Sequence, residues 1–173
     1  MRRRTEEPQT INVDEKLIRK IKSAIKVALE YEKKTSGNRK LGITGEVGEI
    51  LVCYHARKTL GLKLVLNPRS EGFDAIDKNG LRVQIKTRRS ESHGLPGDRG
   101  RTGSFSKHPF DYALLCLLDS NYQLREVWRA DYDKLNPIIK RLKRRNPTLS
   151  SFKKKGKPIF GRQSASLKRK ENS

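Results

Sequence analysis

Gly72-Phe73-Asp74-Ala75-Ile76, followed after a short turn by Val83-Gln84-Ile85-Lys86-Thr87-Arg88, decides how this chain is read. Both stretches have strand character, and Gln84 comes ten residues after Asp74. In the second, Leu81, Val83 and Ile85 alternate with Arg82, Gln84 and Lys86, so one face is apolar and the other polar. The turn between them settles whether the polar groups meet. A two-residue Asn79-Gly80 turn would set Ala75 opposite Gln84 and point Asp74 to the apolar face. A three-residue loop, Lys78-Asn79-Gly80, with Gly80 left-handed in a bulge, shifts the pairing by one and sets Asp74 opposite Gln84. The second arrangement is expected. It gathers a carboxylate, an amide oxygen and an ammonium at one spot, a set able to hold a divalent metal beside a phosphate.

Upstream, apolar residues at Val13, Leu17, Ile18, Ile21, Ala24, Ile25, Ala28 and Leu29 form one stripe of an amphipathic helix over 13–34. Asn12 and Glu15 are placed to form its capping box. Ser36-Gly37-Asn38 breaks the chain, and a second helix is expected from about Gly45 to Leu60, with Thr44 as N-cap and Gly61 as stop signal. Val47, Ile50, Leu51 and Tyr54 would face the core. Leu62 to Leu66 reads as the first strand, Gly72 to Asp77 as the second and Leu81 to Thr87 as the third. Residues 88–109, rich in Gly, Ser, Arg and Pro, read as a long mobile loop. Phe110 to Leu118 is a nearly continuous apolar run, expected of a buried central strand, and Leu124 to Trp128 pairs with it. Ala130 to Arg145 resembles a helix with Pro137 inside the pattern. The remainder is a basic tail, with a short strand conceivable at Pro158-Ile159-Phe160.

These elements assemble into an α/β domain with a mixed central sheet of about five strands flanked by helices. The expected organisation is a disordered basic arm (1–12), an amphipathic helix and linker (13–40), the α/β core (41–145) and a basic tail (146–173). The formal charge of +21 is spread unevenly. Residues 1–40 carry 12 Lys/Arg against 6 Asp/Glu, residues 41–136 carry 15 against 12, and residues 137–173 carry 13 against 1. The last block repels itself and either stays solvated or orders on a phosphate backbone, which is the expected partner. Arg88, Arg89, Arg99, Arg101 and Lys107 of the loop, with Lys153, Lys154, Lys155 and Arg162 of the tail, are the candidate contacts. No membrane partner is expected, because no run approaches the roughly 18 apolar residues a spanning helix needs. Met1-Arg2-Arg3-Arg4 is followed by Thr5-Glu6-Glu7-Pro8 and not by the apolar run of a signal peptide, so the expected location is the cytoplasm, free or nucleoid-associated. Cys53 and Cys116 lie in apolar runs and read as small buried hydrophobes. Neither they nor His55, His93 and His108 have zinc-ligand spacing, and the glycine-rich loop lacks the Gly-Lys-Ser/Thr ending of a nucleotide-binding P-loop.

The sequence of helix, three strands, loop, two strands and helix, with Gly48-Glu49 opening the helix and the Asp74 and Gln84-Ile85-Lys86 stretches on neighbouring strands, resembles the PD-(D/E)xK nuclease superfamily. That superfamily includes many restriction enzymes, Holliday-junction resolvases and repair nucleases. The chain also resembles a little-characterised bacterial group within it that carries the Val-Gln-Ile-Lys form of the motif. The resemblance covers about residues 41–130. It implies a restriction-endonuclease-like core and a Mg²⁺- or Mn²⁺-dependent endonuclease acting on DNA. Asp74 would be the main metal-binding carboxylate, Gln84 would occupy the second acid position, and the Ile85 backbone carbonyl would be a further ligand. Lys86 would orient or activate the attacking water and steady the charge growing on the phosphate. Glu49 would reach the site from the helix, with Glu46, three residues earlier, a weaker candidate for the same role. Many relatives act as dimers, so a homodimer is compatible with the resemblance, although the sequence has no interface signature.

Gln84 departs from the usual Glu or Asp. An amide oxygen can ligate Mg²⁺ but brings no charge, so Glu49 gains importance. Two rival readings stand beside the nuclease. One is a catalytically inactive nucleic-acid-binding module of the same fold. The other is a basic structural RNA-binding protein, which would give no reason for Glu49, Asp74 and Lys86 to converge.

Overall fold

The computed structural model describes residues 7–161. Residues 1–6 of the expected arm, and Arg162 with the rest of the chain after it, lie outside the described residues. Seven strands form one mixed sheet in chain order: β1 (Thr10–Ile11), β2 (Lys63–Val65), β3 (Ala75–Ile76), β4 (Arg82–Arg89), β5 (Tyr112–Leu118), β6 (Leu124–Asp131) and β7 (Lys157–Phe160). Only β4 and β5 run parallel; every other neighbouring pair is antiparallel. The α/β class with a mixed sheet therefore stands, but the sheet has seven strands and not about five. The two extra strands are its edges. β1 falls in the stretch expected to be a disordered arm, whereas β7 contains the short strand named at Pro158-Ile159-Phe160; two- and four-residue strands leave little period-2 signal.

β5 is buried along its whole length, as its unbroken apolar run requires. Its alternate side chains feed two cores. Tyr112, Leu114, Cys116 and Leu118 pack with α1 (Glu15–Lys34) and α2 (Thr44–His55) on one face. Ala113, Leu115 and Leu117 pack with α4 (Tyr132–Arg141) and α5 (Leu149–Lys155) on the other. A short helical turn, α3 (Pro68–Glu71), precedes Gly72. No helix among the described residues is long and apolar enough to cross a membrane.

Local chemistry explains where the elements begin and end. α1 is capped by Asp14, whose Oδ1 accepts the Leu17 N–H at 2.8 Å, and not by the expected Asn12–Glu15 box. α2 starts at Thr44 with Ile43 in the cap position and no side-chain cap, and it stops at His55, five residues before the expected end. Turns carry the chain from there to Gly61, which has the left-handed φ of +61°. α2 lies so close to the sheet that a Cβ at Gly48 would overlap the Thr87 side chain of β4. Pro137 sits inside α4, which runs unbroken to Arg141.

Two expectations about the basic regions are corrected. The loop after β4 is not free: Phe105 and Phe110 are buried, Arg101 bridges Thr148, and the Thr102 and Phe105 N–H groups donate to the Pro147 and Arg145 carbonyls. Nor is the chain after residue 145 a tail as far as the described residues go. Leu149 and Phe152 are fully buried, and β7 pairs with β6. The sequence disguises this because Lys153, Lys154 and Lys155 crowd the end of a helix whose inner face is two residues wide.

Candidate active site

The β3–β4 hairpin has the register of the three-residue loop. Ala75 pairs with Val83 and Ile76 with Arg82. Gly80 has φ +75°, and the Asp77 N–H donates to the Leu81 carbonyl across the turn. Asp77 locks the loop from inside: its Oδ1 accepts the Asn79 and Leu81 N–H groups at 2.8 and 2.9 Å, and its Oδ2 accepts the Tyr112 hydroxyl at 3.1 Å. Ala75 and Val83 belong to the core beneath α1 and α2, so Asp74, one residue earlier, falls on the side of Gln84 and Lys86. β3 itself is shorter than expected, because Gly72 turns at φ +78° under His108 and Asp77 is drawn into the loop.

The Asp74 carboxylate is fixed by the backbone of the next strand. Its Oδ2 accepts the Ile85 N–H at 2.6 Å. Burial pushes its pKa above the usual carboxylate value, while that hydrogen bond and the Lys86 charge pull the other way. Glu49 reaches the same locality from α2. Its pKa is pushed up to about 8, first by burial and then by the negative charges of Asp74 and Glu46, with Lys86 opposing. Lys86 has its ammonium 5.3 Å from the centre of the Phe105 ring, and burial lowers its pKa against the pull of Asp74 and Glu49. Two desolvated carboxylates and a half-buried ammonium thus share one field, with exposed Glu46 at its edge.

Gln84 stands apart from this group. It is only 3% exposed, its Nε2 donates to the Gly72 carbonyl at 2.7 Å, and its Oε1 accepts the Ser106 N–H at 3.4 Å. One neighbour needs a donor and the other an acceptor, so the amide cannot flip without losing both. The expected metal-ligating oxygen of Gln84 is therefore turned toward the crossover loop. Sequence alternation marked Gln84 as part of a polar strand face; its burial and its bond to the loop at Ser106 were not legible from it.

The donor set bears on which cation would suit the site. Among the described residues, no group of three or more His, Cys, Asp or Glu side chains is placed to hold a metal ion. That disfavours a closed protein cage. It leaves room for Mg²⁺, which commonly takes one or two carboxylates and completes its shell with water and substrate oxygen. Asp74 and Glu49 would be those two, and a cation there would offset the burial and the Asp74 charge that raise Glu49.

The candidate phosphate contacts divide. Arg89 is committed internally. Its guanidinium pairs with Glu32 at 2.6 and 2.9 Å, donates to the Ser120 carbonyl and lies 3.9 Å from the Tyr122 ring centre. Glu32 is held below the usual carboxylate range by that pairing. Lys153 is likewise internal: 14% exposed at its side chain, 2.9 Å from Asp98 and 3.8 Å from Glu126. Arg88 donates to the Arg101 carbonyl, and Arg101 donates to the Asn146 carbonyl at 3.0 Å, while both side chains stay at the surface. Arg99, Lys107, Lys154 and Lys155 are exposed. Comparison with protein-family models and with curated proteins gives no match for this chain.

Proposed function

We propose that this protein is a cytoplasmic Mg²⁺- or Mn²⁺-dependent endonuclease that hydrolyses phosphodiester bonds of DNA, built on a restriction-endonuclease-like core. The observation that carries this reading is the convergence of Glu49 from α2, Asp74 beside β3 and Lys86 from β4 in one partly desolvated field. The Ile85 N–H gives Asp74 one partner, but two carboxylates desolvated side by side are unfavourable without a further counter-charge. Asp74 and Glu49 would hold the divalent ion, which when bound screens the phosphoryl oxygens and lowers the pKa of a water.

The chain's own groups have separate tasks. The Ile85 N–H fixes the Asp74 carboxylate at 2.6 Å, so its orientation is set before substrate arrives. Lys86, propped over Phe105, places positive charge where negative charge grows on the phosphate. Gln84 ties Gly72, and with it the approach to Asp74, to the crossover loop at Ser106. This last point favours the inactive binding module as the second reading, since the second acid position contributes no charge.

The test is cleavage of supercoiled, linear duplex, single-stranded and branched DNA with Mg²⁺ or Mn²⁺, using Asp74→Asn, Glu49→Gln and Lys86→Ala. Asparagine keeps an oxygen for the Ile85 N–H while removing the charge. Each variant is expected to lose ~10²–10⁴-fold in rate with DNA binding largely retained. Variants that cut like the wild type would refute the assignment. Binding without any metal-dependent cleavage by the wild type would select the inactive module.

A further inference from the structure

We propose that the turn leaving the end of α4 is a docking surface for the phosphate backbone of duplex DNA, with Lys140, Arg141, Lys143 and Arg144 taking phosphates that flank the bond to be cut. That this DNA is the substrate rests on the nuclease reading; the demand of the turn for a polyanion does not. From Lys134 to Gly161 the chain carries ten Lys/Arg and no Asp or Glu. Lys140, Arg141, Lys143 and Arg144 crowd one end of α4 and are all exposed. None of the four has an ion-pair partner among the described residues. The acids that precede them, Asp131 and Asp133, stand at the opposite end of α4, and Asp131 is paired with Arg129 at 3.3 Å. The helix dipole accounts for Lys140 and Arg141, which lie in the last turn of α4, but not for Lys143 and Arg144 beyond it. Like charges so close together repel one another, and a row of negative charge relieves that repulsion.

The turn is fixed to the loop that borders the site, and the contact is made by the next residue. Arg145 has φ +51°, a left-handed backbone that residues with a side chain rarely adopt. Its N–H donates to the Leu142 carbonyl at 3.0 Å, closing the turn, and its carbonyl accepts the Phe105 N–H at 3.0 Å. Its guanidinium reaches the same loop, donating from Nε to the Phe105 carbonyl at 3.1 Å and from Nη2 to the Ser106 carbonyl at 2.9 Å. Phe105 is the ring that faces the Lys86 ammonium, and the Ser106 N–H donates to Gln84. Arg145 is thus occupied beside the site, while the four cations before it face solvent.

Chemistry and position both favour DNA over an anionic membrane. A helix or turn that lies on a membrane buries apolar side chains among the lipids. Among the described residues, no large hydrophobic side chain is exposed between 134 and 157. Two of the four cations are arginines, whose planar fork matches phosphate oxygens. The turn also lies on the right side of the sheet. α4 and α5 pack with Phe105 on the face that carries Lys86, whereas the basic helix α1 packs on the other.

The test measures binding of a short DNA duplex to the full chain by fluorescence anisotropy in EDTA, between about 50 and 200 mM salt. One variant combines Lys140→Gln, Arg141→Gln, Lys143→Gln and Arg144→Gln; glutamine has nearly the helix propensity of the residues it replaces, and thermal unfolding checks the fold. Its affinity is expected to fall at least about tenfold, with the slope of log affinity against log salt flatter by about two to three. A control of equal charge combines Lys16→Gln, Arg19→Gln, Lys20→Gln and Lys26→Gln on the exposed side of α1 and should lose less than about threefold. Equal losses in the two variants overturn the docking surface in favour of net charge alone, as does an unchanged salt slope in the first. If the first variant loses binding to phosphatidylcholine–phosphatidylserine vesicles but keeps its affinity for DNA, the partner is a membrane and the proposal falls. With Mg²⁺, the DNA concentration giving half the maximal rate should rise at least about tenfold, while the rate at saturation changes by less than about threefold. A loss at saturation as large as that of Lys86→Ala overturns the flanking position. Failure of the nuclease reading shows separately, as absence of metal-dependent cleavage with the difference in DNA binding intact.

Discussion

Replacing Glu49 by glutamine should stabilise the protein at pH 8 while lowering the proposed cleavage rate by ~10²–10⁴-fold. The carboxyl has its pKa raised from 4.5 to about 8, by burial first and by Asp74 and Glu46 next. Between those values the folded chain holds a proton that the unfolded chain has released. Stability therefore falls as pH rises, by up to about 1.4 kcal/mol per pH unit. From pH 6 to pH 8 the wild type should lose about 2–3 kcal/mol of unfolding free energy from this group alone. Glutamine cannot ionise, so the variant should not lose it. His55 works in the opposite sense: burial, then Arg57 and Lys22, lower its pKa, so its contribution grows as pH rises through the imidazole range. That term is common to both proteins and cancels in their difference. The assay is urea unfolding in EDTA at pH 6, 7 and 8, repeated at pH 8 with millimolar Mg²⁺. On the proposed reading magnesium would bind only the folded state, so it should restore stability to the wild type and do much less for Glu49→Gln. If the two pH profiles run parallel, Glu49 is not desolvated beside like charge and the site as described does not exist.

Three other outcomes follow from the packing. Gln84→Glu, which places an acid at this strand position, sets a carboxylate against the Gly72 carbonyl that now accepts a hydrogen bond; a loss of about 1–3 kcal/mol in urea unfolding is expected, with no gain in Mg²⁺ affinity by calorimetry. Glu32→Ala strips the partner from a guanidinium whose side chain is only 10% exposed and should cost about 3–5 kcal/mol, whereas Lys40→Ala, from an exposed pair, should change stability by less than about 1 kcal/mol. Removing residues 162–173, which carry 4 Lys/Arg against 1 Asp/Glu, should flatten the salt dependence of DNA binding by up to about three in slope, while truncation at residue 146 should prevent folding because Leu149 and Phe152 go with it.

What the sequence revealed is what local periodicity can carry. The register of the β3–β4 hairpin followed from one glycine and one loop length, and β5 announced itself by seven apolar residues in a row. The edges of the sheet did so poorly: Thr10–Ile11 gave no signal and Lys157–Phe160 only a short one at Pro158-Ile159-Phe160, and both are stabilised by partners far along the chain. Charge misled in the same way. Arg89 and Lys153 look like surface cations until Glu32 and Asp98, 57 and 55 residues away, are brought to them. Lysine-rich composition records how many cations there are; only tertiary contacts decide which remain free to meet a phosphate.

Gln84 concentrates the same lesson at the site itself. Read as a strand position, it stands where a second metal-binding acid is expected. Read as a buried amide, it serves two backbone groups of opposite polarity, Gly72 carbonyl and Ser106 N–H, which no carboxylate can do at once. An acid there would also add a third negative charge near Asp74 and Glu49, where burial already drives Glu49 toward its protonated form. The amide thus keeps the approach to Asp74 and the crossover loop in place at no electrostatic cost. The metal would then depend on Glu49 for its second charge, and the proton that Glu49 holds below about pH 8 must leave before the ion can bind. Metal affinity should therefore rise with pH across the neutral range, more steeply than for a site built on two ordinary carboxylates.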